Sequence, residues 1–134
     1  MKISARITNS LNQNDILVET NGNQKELAIA PKILGRGSSI NGGELLFAAI
    51  ATCACNDIYR EAGKKNMQID SIDVSVSGEF GEEGEAASNI IYNVKVDAPT
   101  LSRDEIVELV NKVDSLVEIH NTVRLGTNIK LVID

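Results

Sequence analysis

Hydrophobic positions along this chain switch between two periods, and the switches mark its elements. From Lys2 to Thr8, Ile3, Ala5 and Ile7 alternate with polar residues, the period of a strand. Asn9 to Asn14 is turn chemistry, and Ile16 to Thr20 reads as a second strand. Asn21-Gly22 is a hairpin signal, after which Gln24 to Ala30 returns as a third strand carrying Leu27 and Ile29. Pro31 to Ile40, with Gly35-Arg36-Gly37, is a loop. Alternation then gives way to a run from Leu45 to Cys55 in which Thr52 is the only polar residue. With the flanking residues Asn41 to Gly63 it predicts a helix about 33 Å long, apolar enough in its first half to be buried on all sides.

The helix is well marked at both ends. Asn41 followed by Glu44 fits a capping box, and Gly63 with Lys64-Lys65 fits a helix end. Period two resumes at Ile72, Val74 and Val76, and again at Ile90, Tyr92, Val94 and Val96, with an acidic loop (Gly81 to Glu85) between them. Ser102 and Glu105 predict a second capping box before the amphipathic positions Ile106, Val107, Leu109, Val110 and Val113. A short helix around Leu116 to His120 follows. Asn128 to Asp134 closes the chain as a strand with Ile129, Leu131 and Ile133 on one side. The order βββ-α-ββ-αα-β is segregated rather than alternating, so the expected class is α+β, in one domain over residues 1–134.

Composition narrows the function. A formal charge of -6 argues against nucleic acid or an anionic membrane surface as partner. The apolar run is too short to cross a bilayer, and no apolar run follows Met1 to Arg6, so neither a span nor a signal peptide is expected. Two cysteines on one helix are no disulfide framework, which suits a reducing, cytoplasmic setting. The helix is crowded with Ala, and a rod this apolar calls for a second chain to cover it.

Chemistry starts at Cys53 and Cys55. Helical positions i and i+2 point about 200° apart, so the two sulfurs cannot jointly hold a metal or close a disulfide. One histidine, His120, does not complete a zinc site, and neither metal nor cofactor is expected. Cys53 shares its face with Asn56, Asp57 and Arg60, whereas Cys55 shares an apolar stripe with Ala48, Ala51, Ile58 and Tyr59. Cys53 is therefore the thiol expected to meet water or a charged partner. A mid-helix thiol gains little from the helix terminus, so an arginine, Arg60 or Arg36, would have to lower its pKa. The plain reading of such a cysteine is a small inert hydrophobe. Asp57 with Arg60 or Glu61 is most simply surface pairing, with a buried interfacial pair as the sharper alternative.

The segment Asn41-Gly42-Gly43-Glu44-Leu45-Leu46-Phe47-Ala48-Ala49-Ile50-Ala51-Thr52-Cys53 resembles the osmotically inducible protein C / organic hydroperoxide resistance (OsmC/Ohr) family, in which an Asn-Pro-Glu-x-Leu-x-Ala-Ala opening leads to a peroxide-attacking cysteine. The element order fits over nearly the full chain. The resemblance implies an intertwined homodimer, antiparallel sheets enclosing two central helices, and active sites at the interface. It implies Cys53 as the peroxidatic thiol, with Arg36 and Glu44 as candidate site residues. The chain departs from the family at three points. Gly43 stands where the family has Glu, Val117 takes the place of the second cysteine, and the early strands hold no clear match to the family's arginine.

Two functions of different class follow. In one, Cys53 reduces an organic hydroperoxide and is itself reduced by an external thiol, because no resolving cysteine is present. In the other, the same dimer holds a small apolar ligand at its interface and Cys53 only lines the pocket. A redox sensor whose packing changes on Cys53 oxidation is a third.

Overall fold

The computed structural model describes residues 1–133. The chain divides into two units, Met1–Leu45 and the remainder from Leu46 onward. The first is an antiparallel meander of β1 (Ile3–Ser10), β2 (Gln13–Thr20) and β3 (Asn23–Leu27). Ile7 pairs with Ile16, and Ile16 with Leu27, so one face carries the apolar residues that alternation predicts. Asn21 and Gly22 both take positive φ, the backbone a tight hairpin with right-twisted strands requires. The first turn is shorter than expected. Strands run to Ser10 and from Gln13, because Asn12 adopts the left-handed conformation and reverses the chain with Leu11 alone beside it.

The loop after β3 is fastened to that turn. Asn12 N–H donates to the Gly35 carbonyl at 2.5 Å, and Gly37 N–H donates to Asn9 Oδ1 at 2.9 Å. Gly35 has φ +87°, and a Cβ there would fall 2.6 Å from Asn12 Oδ1, so only glycine fits.

The long helix, α1 (Gly42–Lys64), starts at the expected capping box. Glu44 N–H donates to Asn41 Oδ1, and Asn41 N–H donates to Glu44 Oε2, both at 2.8 Å. Its end differs in detail. Gly63 remains helical, and the left-handed residue that turns the chain is Asn66 (φ 52°). Within the second unit α1 is followed by the antiparallel hairpin β4 (Ser71–Glu79) and β5 (Ser88–Asp97), then α2 (Arg103–Leu116) and α3 (Glu118–Leu125). Ile72 faces Val96, Val74 faces Val94, and Val76 faces Tyr92, the register the two alternations require. The ladder slips between Ser77 and Glu79, where a Cβ on Gly78 would lie 2.8 Å from the Phe47 ring.

Ser102 caps α2 as predicted, its Oγ accepting from Glu105 N–H at 3.2 Å while Ser102 N–H donates to Glu105 Oε2 at 2.8 Å. The core joins Ile58 and Ala62 of α1 to Leu109 and Val113 of α2 and to Val117, with Met67, Ile72, Val94 and Val96 against it. The third helix runs farther than the sequence suggests, to Leu125, and ends on left-handed Gly126.

Two expectations change. α1 is buried along one stripe only, Ile50, Ala54, Asp57, Ile58, Glu61 and Ala62, while Ala48, Thr52 and Tyr59 are exposed. A single chain supplies cover for one side of the rod. The closing segment does not form a strand. Residues 128–133 have no ladder partner among the described residues, and Ile129 is 92% exposed, because a strand needs a neighbour for its backbone groups. Asp134 lies outside the described residues. Among the described residues no helix is long and apolar enough to cross a membrane.

Candidate functional site

Cys53 lies midway along α1, half-buried, on the border between the buried stripe and solvent, and packs against the core. Cys55, two residues on, lines a shallow surface groove with Ala51, Thr52, Asn56 and Val74. The two thiols are free and leave the helix on different sides, as helical geometry demands.

The environment of Cys53 is acidic. Burial pushes its thiol pKa up, and the carboxylates of Asp57, one turn along α1, and Glu118, in the first turn of α3, push it further the same way. Asp57 is only 7% exposed. Its Oδ1 takes Arg60 Nη1 at 2.8 Å, while Oδ2 is buried with no hydrogen-bond partner.

Glu61 is 2% exposed and fully engaged. Oε1 accepts from Lys64 Nζ at 2.6 Å and Arg60 Nε at 3.3 Å, and Oε2 lies 3.0 Å from Lys112 Nζ of α2. The hydrogen bonds from Lys64 and Lys112 hold its pKa down to about 2. Asp57 and Glu61 thus belong to the buried stripe rather than to a surface face. Their i, i+4 spacing along Ile50, Ala54, Asp57, Ile58 and Glu61 was the signal for this, hidden because both residues are charged.

A second polar cluster surrounds His120. Its Nε2–H donates to the Ile50 carbonyl at 3.0 Å, which assigns the proton to that nitrogen, and Nδ1 lies 4.0 Å from Asp114 Oδ1. Tyr92 meets the imidazole edge-on, with centroids 4.7 Å apart, and donates its hydroxyl proton to Asp114. Burial and the Asp114 carboxylate raise the Tyr92 pKa. Hydrogen bonds from Tyr92 and Arg124 (2.7 Å) lower that of Asp114. Tyr92, His120 and Arg124 border a cavity of about 110 Å³ beside Ile50, Ile90 and Val123.

The three residues expected at the site fall in different units. Arg36 is exposed on the loop of the first unit, and Glu44 is held as the cap of α1, whereas Cys53 belongs to the second unit. Val117, expected from the sequence resemblance to take the place of a second cysteine, is a core residue between α2 and α3. Among the described residues, no group of three or more His, Cys, Asp or Glu side chains is placed to hold a metal ion.

Residues 35–132 match the family model described as OsmC-like protein. The chain belongs to the OsmC-like family. Its fold recurs in an OsmC-like protein from Mycoplasma pneumoniae, 22% identical, covering 90% of this chain and 87% of the other, with a TM-score of 0.63. It recurs in an organic hydroperoxide resistance protein OsmC from Legionella pneumophila (18% identical, 92% and 90% covered, TM-score 0.59). A third is an organic hydroperoxide resistance protein from Elizabethkingia anophelis (19% identical, 92% and 89% covered, TM-score 0.60). At these identities the likeness is one of fold. No curated protein matches the sequence. Within this OsmC-like fold the α+β architecture, with two antiparallel sheets and three helices among the described residues, is the one the hydrophobic pattern predicts.

Proposed function

We propose that this OsmC-like chain is a homodimeric, thiol-dependent reductase of organic hydroperoxides acting in oxidative-stress defence in the cytoplasm. Cys53 is the peroxidatic group. The observation that carries this reading is the half-burial of Cys53 in the middle of α1, the helix for which the sequence resemblance implies a peroxide-attacking cysteine. The sulfur attacks the terminal peroxide oxygen, the O–O bond breaks, an alcohol leaves and Cys53 becomes a sulfenic acid. With Val117 in the second-cysteine position, an external thiol condenses with the sulfenic acid, releasing water. A second thiol then frees Cys53 by disulfide exchange.

The exposure of Ile3, Ile7, Ile129, Leu131 and Ile133 supports a second copy of the chain as cover. The relatives that are hydroperoxide resistance proteins support the substrate class.

A second reading has its own support. Burial and the Asp57 and Glu118 carboxylates raise the Cys53 pKa, which suits a thiol that only lines a pocket for a small apolar ligand in the same dimer. Trapping sulfenate with dimedone after cumene hydroperoxide, with size-exclusion chromatography on the same sample, separates the two. Adduct at Cys53 in a dimer is expected. A folded dimer without adduct eliminates the reductase and leaves the binding protein.

A further inference from the structure

The sequence has 19 acidic residues against 13 basic ones, so a cation left without a carboxylate is informative. In the second unit Arg60, Lys64, Lys65, Lys112 and Arg124 each form an ion pair. Outside the tail, Lys95 of β5 and Arg103 of α2 form none among the described residues. Both line one open groove of about 500 Å³ between β5 and α2, a size that suits a small molecule.

The floor of the groove is aliphatic. Leu109 and Val113 of α2 turn into the core, which leaves Ile106, Val107 and Val110 along the groove, with Val94 and Val96 on the strand side. Val107 is 46% exposed. No acidic residue lines the groove, although α2 carries several. Glu105 is committed to the Ser102 cap, and Glu108 to Lys65. Lys95 also borders a neighbouring recess with Asp73 and Asp97, so Arg103 is the principal anchor.

We propose that this groove binds a medium-chain fatty carboxylate, its head on Arg103 and Lys95 and its tail along the aliphatic rows of α2 and β5. The site lies within one chain and does not depend on Cys53 or on the reductase reading. A guanidinium presents paired donors that match the two oxygens of a carboxylate. From Arg103 to Asn111, which also lines the groove, the helix rises about 12 Å, close to the length of an extended decanoate chain. An exposed ion pair alone contributes little, and the gain from covering aliphatic surface grows with the area removed from water. Head and tail must therefore act together, which separates this ligand from a simple anion and from a neutral hydrocarbon.

The test titrates the full-length protein with decanoate, below the concentration at which decanoate aggregates, and follows backbone amide chemical shifts. Saturable shifts centred on Val94, Val96, Val107 and Val110 are expected. Decanol, which lacks the charge, and acetate, which lacks the tail, should each bind about tenfold more weakly or worse. Arg103→Gln should weaken decanoate about tenfold and leave decanol unchanged. Lys25→Gln, which removes the same charge from the first unit, should change neither. Val107→Glu, an anion set in the apolar floor, should abolish decanoate binding. Urea midpoints of the variants verify that each is folded, and the comparison of decanoate with decanol needs no variant. Shifts centred on another surface, decanol bound as tightly as decanoate, or an absence of saturation overturns the assignment. Binding that tightens as the protein is diluted marks the groove as covered by a second copy, and overturns it too.

Discussion

His120 and Ile50 are joined across seventy residues of sequence, the imidazole Nε2–H of α3 donating to a carbonyl oxygen in the middle of α1 at 3.0 Å. This bond ties the last helix to the element that carries Cys53. His120→Ala removes the donor and the ring that Tyr92 abuts. The expected cost is about 1–3 kcal/mol, measured as a lower urea midpoint at unchanged slope. An unchanged midpoint would show that the bond contributes nothing net.

Glu61 ties α1 to α2 through Lys112. Its folded pKa, about 2, lies below the value of about 4.3 for an unfolded glutamate. The folded state therefore binds fewer protons, and the stabilisation is complete above pH ~4.3 and is lost as pH falls towards 2. Glu61→Gln should unfold at lower urea than wild type at pH 7. The gap between them should close from pH 4 to pH 2.5. A gap that stays constant with pH would contradict the ion-pair origin.

Glu118 acts on Cys53 from a different helix, its carboxylate raising the thiol pKa. Glu118→Gln should lower the Cys53 pKa, leaving burial and Asp57 still raising it. Alkylation at pH 7.5 should quicken a few-fold, with hydroperoxide oxidation moving the same way.

Ser102 carries the helix cap that two opposed hydrogen bonds define. Ser102→Ala should cost about 1 kcal/mol in the urea midpoint. Ser102→Asp, which can still accept from Glu105 N–H, should recover most of it.

How much of this was legible in the chain varies with the reach of the interaction. The two capping boxes, at Asn41/Glu44 and Ser102/Glu105, are three-residue patterns, and both form as the letters predict. The pairing of Ile72 with Val96 and Val74 with Val94 follows from alternation, since a one-residue slip would turn both strands inside out. Asp57 and Glu61 were harder. Charge suggested solvent, and only the arrival of Lys112 from α2 makes a buried Glu61 tenable. The contact of His120 with Ile50 has no local signal at all. The sulfurs of Cys53 and Cys55 diverge because helix geometry alone decides it. At the C-terminus alternation predicts a strand that residues 128–133 do not form, since a strand is a property of a pair.

The tail has a consequence for handling the protein. Ile129-Lys130-Leu131-Val132-Ile133 belongs to no helix or ladder and is largely solvent-facing, has no proline and bears a single charge. Such a segment, left bare, is a template for cross-β stacking. A chain whose tail stays bare is thus vulnerable to aggregation. Yield should fall with slow dilution refolding and rise with Leu131→Lys, a gatekeeper that interrupts the run.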